Sequence, residues 1–179
     1  VYGPFIKEGS VVFDIGAHVG SRARFFRKLG ARVVAVEPQP LLAGFLRWLF
    51  LGDEGVEVLP LAVAGQPGEL ELAVNPTNPT VSTASAAFRA AVAAVPSFAS
   101  VRWSEGIRVE TTTLDRLIEQ YGRPSFIKID VEGMEDEVLA GLSMSVPALS
   151  SSSFLPIARP PCAHWIMSAT SATTGSTFR

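Results

Sequence analysis

The sequence predicts an α/β protein built on a doubly wound, mostly parallel sheet, and three observations carry that prediction. Apolar runs of strand length, VVFDI, RVVAV and SFIKI, alternate with stretches of helical period. The first run passes straight into a glycine turn, VVFDIGAHVG. The segments between the runs are long enough for the right-handed helical crossovers that parallel neighbours require.

Val11, Val12, Phe13 and Ile15 make the first strand, with a charged Asp14 inside it and Gly16 and Gly20 behind it. In SRARFFRKLG, Phe25, Phe26 and Leu29 share one helical face and Gly30 closes the helix. Arg22, Arg24, Arg27, Lys28 and Arg32 read as its solvated face. RVVAVEP is a second buried strand, stopped by Pro38. Leu41, Leu42, Phe45, Leu46 and Leu49 then recur at helical spacing with Arg47 opposite, a helix laid on a sheet. EVLPLAVAG reads as a third strand, and GELELAV, alternating with period two, as a short β excursion.

Residues 75–106 lose this regularity, and a long connection over the ligand end of a sheet is expected to form a lid. TTTLDRLIEQYG restores a helix with Leu114, Leu117, Ile118 and Tyr121 on one face and Thr113 as N-cap. SFIKID is the fourth strand, and EGMEDEVLAGL the helix after it, with acids in the first turn where the macrodipole favours them.

Composition narrows the function classes. The chain has 179 residues and a net charge of −2, which suits one core and gives no general pull toward nucleic acid or anionic lipid. LLAGFLRWLFL is broken by Arg47 and too short to span a bilayer, so no membrane partner is expected. Nothing at the start resembles a signal peptide, and Val1 in place of Met suits a fragment. A lone Cys162 excludes an internal disulfide framework and fits a reducing compartment, so the expected location is the cytoplasm. His164 has no second ligand at metal spacing, and no metal site is expected. Oligomeric state leaves no signature.

The topology gathers acids on one rim. Asp14 ends the first strand, Glu37 the second, and Asp130 with Glu132 the fourth. Carboxylates are rarely buried without partners, so this gathering predicts a polar, cationic ligand across the strand ends. Lys128, Asp130 and Glu132 alternate, which would put all three side chains on one face of the fourth strand. A dinucleotide would explain an acid after the second strand, but G-x-G-x-x-G needs glycines where His18 and Ser21 stand. The pattern present, D-x-G-x-x-x-G, resembles the first motif of class I S-adenosylmethionine-dependent methyltransferases.

FDIGAHVGSRARFF, VVAVEPQP, TTTLDRLI and FIKIDVEGMEDEVLAGL, in this order, resemble the FkbM family of methyltransferases from about Phe5 to Leu142. The resemblance implies a Rossmann-like class I methyltransferase fold over residues 1–142 and S-adenosylmethionine as donor. It also implies O-methylation of a hydroxyl on a small molecule, sugar or polyketide-like acceptor. The cofactor positions it implies are Asp14, Gly16, His18, Gly20 and Glu37, with Ala17 and Pro38 in the same two loops. Asp130 would face the transferred methyl, and Lys128 and Glu132 complete the catalytic candidates. The competing readings are an NAD(P)-binding oxidoreductase and a cofactor-binding module without activity.

Residues 143–179 break the pattern, with Arg159 and Arg179 as their charges and no persuasive period. FLPIAR at 154–159 resembles the next strand of the family, and the likeness ends after Pro161. With suitable codons the neighbouring reading frame would spell an amphipathic helix and an aromatic strand, so a frameshifted or divergent tail is expected, with the last strands of the sheet missing. An edge left unpaired in this way would lower stability or solubility.

Overall fold

The computed structural model describes residue 2, residues 4–74, residue 84 and residues 106–151. In chain order the elements are β1 (Val11–Ile15), α1 (Ser21–Lys28), β2 (Arg32–Val36), α2 (Pro40–Leu49), β3 (Val56–Leu59) and β4 (Ala62–Val63). They continue with β5 (Gly68–Leu72), β6 (Ile107–Thr112), α3 (Leu114–Tyr121), β7 (Phe126–Ile129), α4 (Glu135–Ala140) and β8 (Leu149–Ser151).

Five strands form a wholly parallel sheet in the order β3-β2-β1-β7-β8. Its β-branched and aromatic strands are buried on both faces, as a sheet covered by helices on each side demands. Val12, Val33, Ala35, Val58 and Phe126 pack on Ala23 and Phe26 of α1 and Leu46 of α2. Phe13, Ile15, Val34, Val36, Ile127 and Ile129 face the other way, onto Leu114, Leu117 and Ile118 of α3 and Val138 of α4. The alternation of β1 therefore decides where Asp14 goes: it shares the α1 face with Val12. Thr113 caps α3 as expected, its Oγ1 accepting the Arg116 amide at 3.2 Å.

Three readings of the sequence are corrected. EVLPLAVAG is two strands: β3 ends at Leu59 because Pro60 has no N–H for the ladder, and β4 leaves for a second sheet. That sheet, in the order β4-β6-β5, contains β6, which sequence reasoning left unassigned. The excursion at β5 is as expected, and it pairs antiparallel with β6, Leu70 opposite Val109 and Glu71 opposite Arg108. Finally, the fifth parallel strand is β8, which lies beside β7 with Leu149 opposite Ile127, inside the stretch read as tail. Residues 152–179, which include the segment 154–159, lie outside the described residues, as does the expected lid apart from residues 84 and 106.

Candidate functional site

The strand order turns at β1, which has β2 on one side and β7 on the other, and the crevice in which a doubly wound sheet binds its ligand is expected at the carboxyl edge beside this turn. The β1 loop is strapped to both neighbours. The amides of Gly16 and Ala17 donate to the Val36 carbonyl at 2.9 and 3.0 Å, and the Asp130 amide donates to the Ile15 carbonyl at 3.0 Å.

Gly16 and Gly20 have φ of 73° and 77°, which glycine adopts freely. The close approach they permit is to the protein's own chain. A Cβ on Gly16 would strike the Asp130 carbonyl, and one on Gly20 would lie 2.7 Å from Leu46 Cδ2 and 3.1 Å from Leu49 Cδ2 of α2. His18 also adopts a left-handed backbone, φ 51°, where the dinucleotide pattern would place its second glycine. Histidine there preserves the shape of the turn.

Asp14 and Lys128 are register partners on β1 and β7, and both are buried. Lys128 Nζ stands 3.1 Å from Asp14 Oδ1 in an ion pair too poorly angled for a hydrogen bond. It donates to the Gly16 carbonyl at 2.7 Å, approaches the Ile15 carbonyl at 3.5 Å and lies 3.6 Å from Asp130 Oδ2. Burial pushes the Asp14 carboxyl up; the ammonium, and the Ala23 amide in the first turn of α1, pull it back. Helix α1 has Gly20 at its N-cap and no side-chain cap, so this buried carboxylate supplies the negative charge its N-terminus favours.

Glu37 is 3% exposed, and each of its carboxylate oxygens accepts a backbone amide: Oε2 from His18 at 2.8 Å and Oε1 from Gln39 at 3.0 Å. It thus ties the β1 loop to the β2 loop. Burial raises its pKa against the pull of those amides. Ala17 is buried and Pro38 half-buried in the same two loops.

Beyond β7 the expected alternation fails. The strand ends at Ile129, and Glu132 takes a left-handed backbone, φ 49°, followed by Gly133 at 90°. Lys128 and Asp130 stay together, but Glu132 is carried out of their row by this turn. Its carboxyl is pushed up to about 7 by burial, and then by repulsion from Asp130 and Glu135. Glu135, which sequence reasoning passed over as one more first-turn acid, accepts the Gly133 amide at 3.4 Å and so closes the turn. Gln39 was missed too, because its contribution is a backbone amide that any residue carries.

The structure therefore brings Asp14, Gly16, His18, Glu37, Lys128 and Asp130 together at the carboxyl edge of β1, β2 and β7, with Glu132 in the turn beyond β7, while Gly20 turns onto α2. Among the described residues, no cluster of His, Cys, Asp and Glu side chains is placed to hold a metal ion, and no helix is long and apolar enough to cross a membrane.

Comparison with known proteins places this crevice inside a recognised domain. Residues 14–150 match the family model of the methyltransferase FkbM domain. Over 64 residues the chain is 34% identical to C-methyltransferase NovU of Streptomyces niveus. That match takes in 36% of this chain and spans only 14% of that protein.

Proposed function

This chain belongs to the FkbM methyltransferase family, and we propose that it moves a methyl group from S-adenosylmethionine to a hydroxyl of a small-molecule, sugar or polyketide-like acceptor. The observation that carries this reading is the charge of the crevice. Asp14 and Asp130 flank the ammonium of Lys128 at 3.1 and 3.6 Å, and Glu37 and Glu132, past the ends of β2 and β7, lie within reach of its charge. Such a rim attracts a cofactor with a sulfonium and an α-ammonium, and it repels the pyrophosphate of a dinucleotide. Bound there, S-adenosylmethionine would supply an electrophilic methyl on positively charged sulfur.

The chain's own residues divide the remaining tasks. Glu37 has one amide on each oxygen and keeps a lone pair on each for the two hydroxyls of a ribose. Asp14 and Lys128 hold the β1 loop through the carbonyls of Ile15 and Gly16, which fixes the floor on which the cofactor rests. Asp130 and Glu132, past the end of β7, are the groups positioned for the acceptor and its proton.

A second acceptor chemistry, a carbon acid, is favoured by the relative named a C-methyltransferase. The family's implication and the carboxylates past β7 support oxygen, because a hydroxyl needs only a hydrogen-bonded carboxylate at the moment of attack. The cytoplasm remains the proposed location, and neither nucleic acid nor membrane is a proposed partner.

Calorimetry with S-adenosylmethionine and with NAD tests the cofactor: binding of the first and not the second is expected, and the reverse would overturn the reading. A methyl-release assay over a panel of hydroxylated acceptors, with NMR of the product, then tests activity and the methylated atom. An O-methyl product is expected; a C-methyl product would overturn the hydroxyl assignment, and binding without turnover on any acceptor would favour an inactive module.

A further inference from the structure

We propose that the outer face of α2, together with the sheet edge beside it at β3, joins two copies of this chain about a two-fold axis. The inference is independent of the cofactor and acceptor assigned above. It starts from apolar residues that the fold leaves unused. The spacing of α2 predicts Leu41 and Phe45 on the sheet, but the structure buries Leu42, Ala43 and Leu46 there and leaves Leu41 81%, Phe45 39% and Trp48 69% exposed. These three stand at i, i+4 and i+7, so they form one stripe along the helix and not scattered singles. The rings of Phe45 and Trp48 lie 5.8 Å apart, and Leu51, 84% exposed, extends the apolar surface past the helix end.

Beside the stripe, between the last turn of α2 and β3, lies an open hollow of about 260 Å³ lined by Arg47, Phe50, Leu51, Val56, Glu57 and Val58. It is open because β3 is the outermost of the five strands, with β2 on one side and, among the described residues, no strand on the other. A cavity of about 150 Å³ holds a benzene ring, so this one has room for an aromatic side chain brought from outside.

A second copy of the chain is the occupant that this surface fits, because it carries both halves of the contact. Trp48 is a protruding ring next to a hollow. Arg47 and Glu57 put one charge of each sign on that hollow; both are exposed, and neither is ion-paired with a described residue. A two-fold axis sets each Trp48 at the hollow of the other copy and each Arg47 against the other copy's Glu57. A surface of one sign would instead repel its own copy. Aromatic residues and arginine are also the side chains that interface centres favour.

The test is sedimentation equilibrium of the full chain from about 1 to 100 μM, with thermal melts to show that each variant is folded. Wild type is expected to reach twice the monomer mass and go no higher, since a two-fold contact closes on itself. Trp48→Glu should weaken the dimer about tenfold or more. Arg47→Glu alone and Glu57→Arg alone should each weaken it too, because each homodimer then opposes like charges at both contacts. An equimolar mixture of these two variants should regain the dimer, because the mixed pair meets opposite charges at both contacts. A monomer at every concentration would overturn the proposal and leave the stripe to a different occupant. Growth beyond two copies, a Trp48→Glu protein that associates like wild type, or a mixture no more associated than its components would each overturn it as well. None of these measurements uses a cofactor, so their failure leaves the methyltransferase reading untouched.

Discussion

Asp14 and Lys128 sit opposite one another in the β1–β7 register, 3.1 Å apart and both buried, so each neutralises a charge the other could not leave uncompensated. Removing one partner is therefore worse than removing both. Lys128→Met should cost about 3–5 kcal/mol, since it strands a buried carboxylate and frees the Gly16 carbonyl. The double variant with Asp14→Asn should recover a substantial part of that loss. Burial already raises the Asp14 carboxyl, and loss of the ammonium raises it further, so the deficit of the single variant should narrow as pH falls toward about 4. Urea unfolding midpoints of the two variants at two pH values check this; additive losses would contradict it.

Glu132 gives a prediction of opposite character. Its folded-state carboxyl lies at about 7 against an ordinary value of 4.5. A raised carboxyl contributes stability that is complete below the unfolded value and is lost as pH rises through the folded one. Glu132→Gln should match wild type near about pH 4 and be the more stable protein near about pH 8, where the glutamate is charged among Asp130 and Glu135. Melting temperatures across that range are the measurement. A pH-independent difference would mean the turn, not the charge, controls the residue.

The regions that were legible in sequence, and those that were not, follow from what each depends on. β1, β2 and β7 are runs of β-branched and aromatic residues buried on both faces, a signal carried by their own side chains. The Thr113 cap is equally local. β6 was hidden because only Ile107 and Val109 mark its buried side, and its partner β5 lies 34 residues back from Gly106 at Leu72. β8 is the sequence Leu-Ser-Ser, with no strand preference of its own; pairing with β7 imposes the conformation. Within the site, the meeting of acids on one rim was readable from strand order. The exit of Glu132 from that row was not, because it depends on a backbone reversal at Gly133 that alternation cannot report.

Glu37 performs two tasks that a mutation series can separate. Glu37→Gln keeps the shape but presents an amide nitrogen to one of two backbone N–H donors, from His18 or Gln39. A stability loss of roughly 1–3 kcal/mol is expected, together with a loss of cofactor affinity of roughly 1.5–3 kcal/mol from the weakened hydroxyl acceptor. Glu37→Ala should be worse in stability, because both amides lose their partner. Thermal melts and calorimetry on the same samples check both; unchanged affinity in a folded Glu37→Gln variant would show that the carboxylate serves the loops alone.

The two glycines of the first motif should respond unequally to alanine. Both have left-handed backbones, for which any Cβ costs about 1–2 kcal/mol. Their neighbours set the difference. The Cβ at Gly16 meets the Asp130 carbonyl, a backbone atom just past the end of β7 that is held by the hydrogen bond from the Asp130 amide to the Ile15 carbonyl. The Cβ at Gly20 meets the ends of Leu46 and Leu49, which can rotate within α2. Gly16→Ala is therefore expected to lose several kcal/mol or fail to fold, and Gly20→Ala to lose about 2–3 kcal/mol with the fold intact. Because the Gly16 clash pushes the β1 loop away from Asp130, any folded Gly16→Ala protein should also bind S-adenosylmethionine more weakly than Gly20→Ala. Denaturant unfolding and calorimetry rank the pair; the reverse order would show that the crevice tolerates separation of its two loops and that α2, not β7, sets its shape.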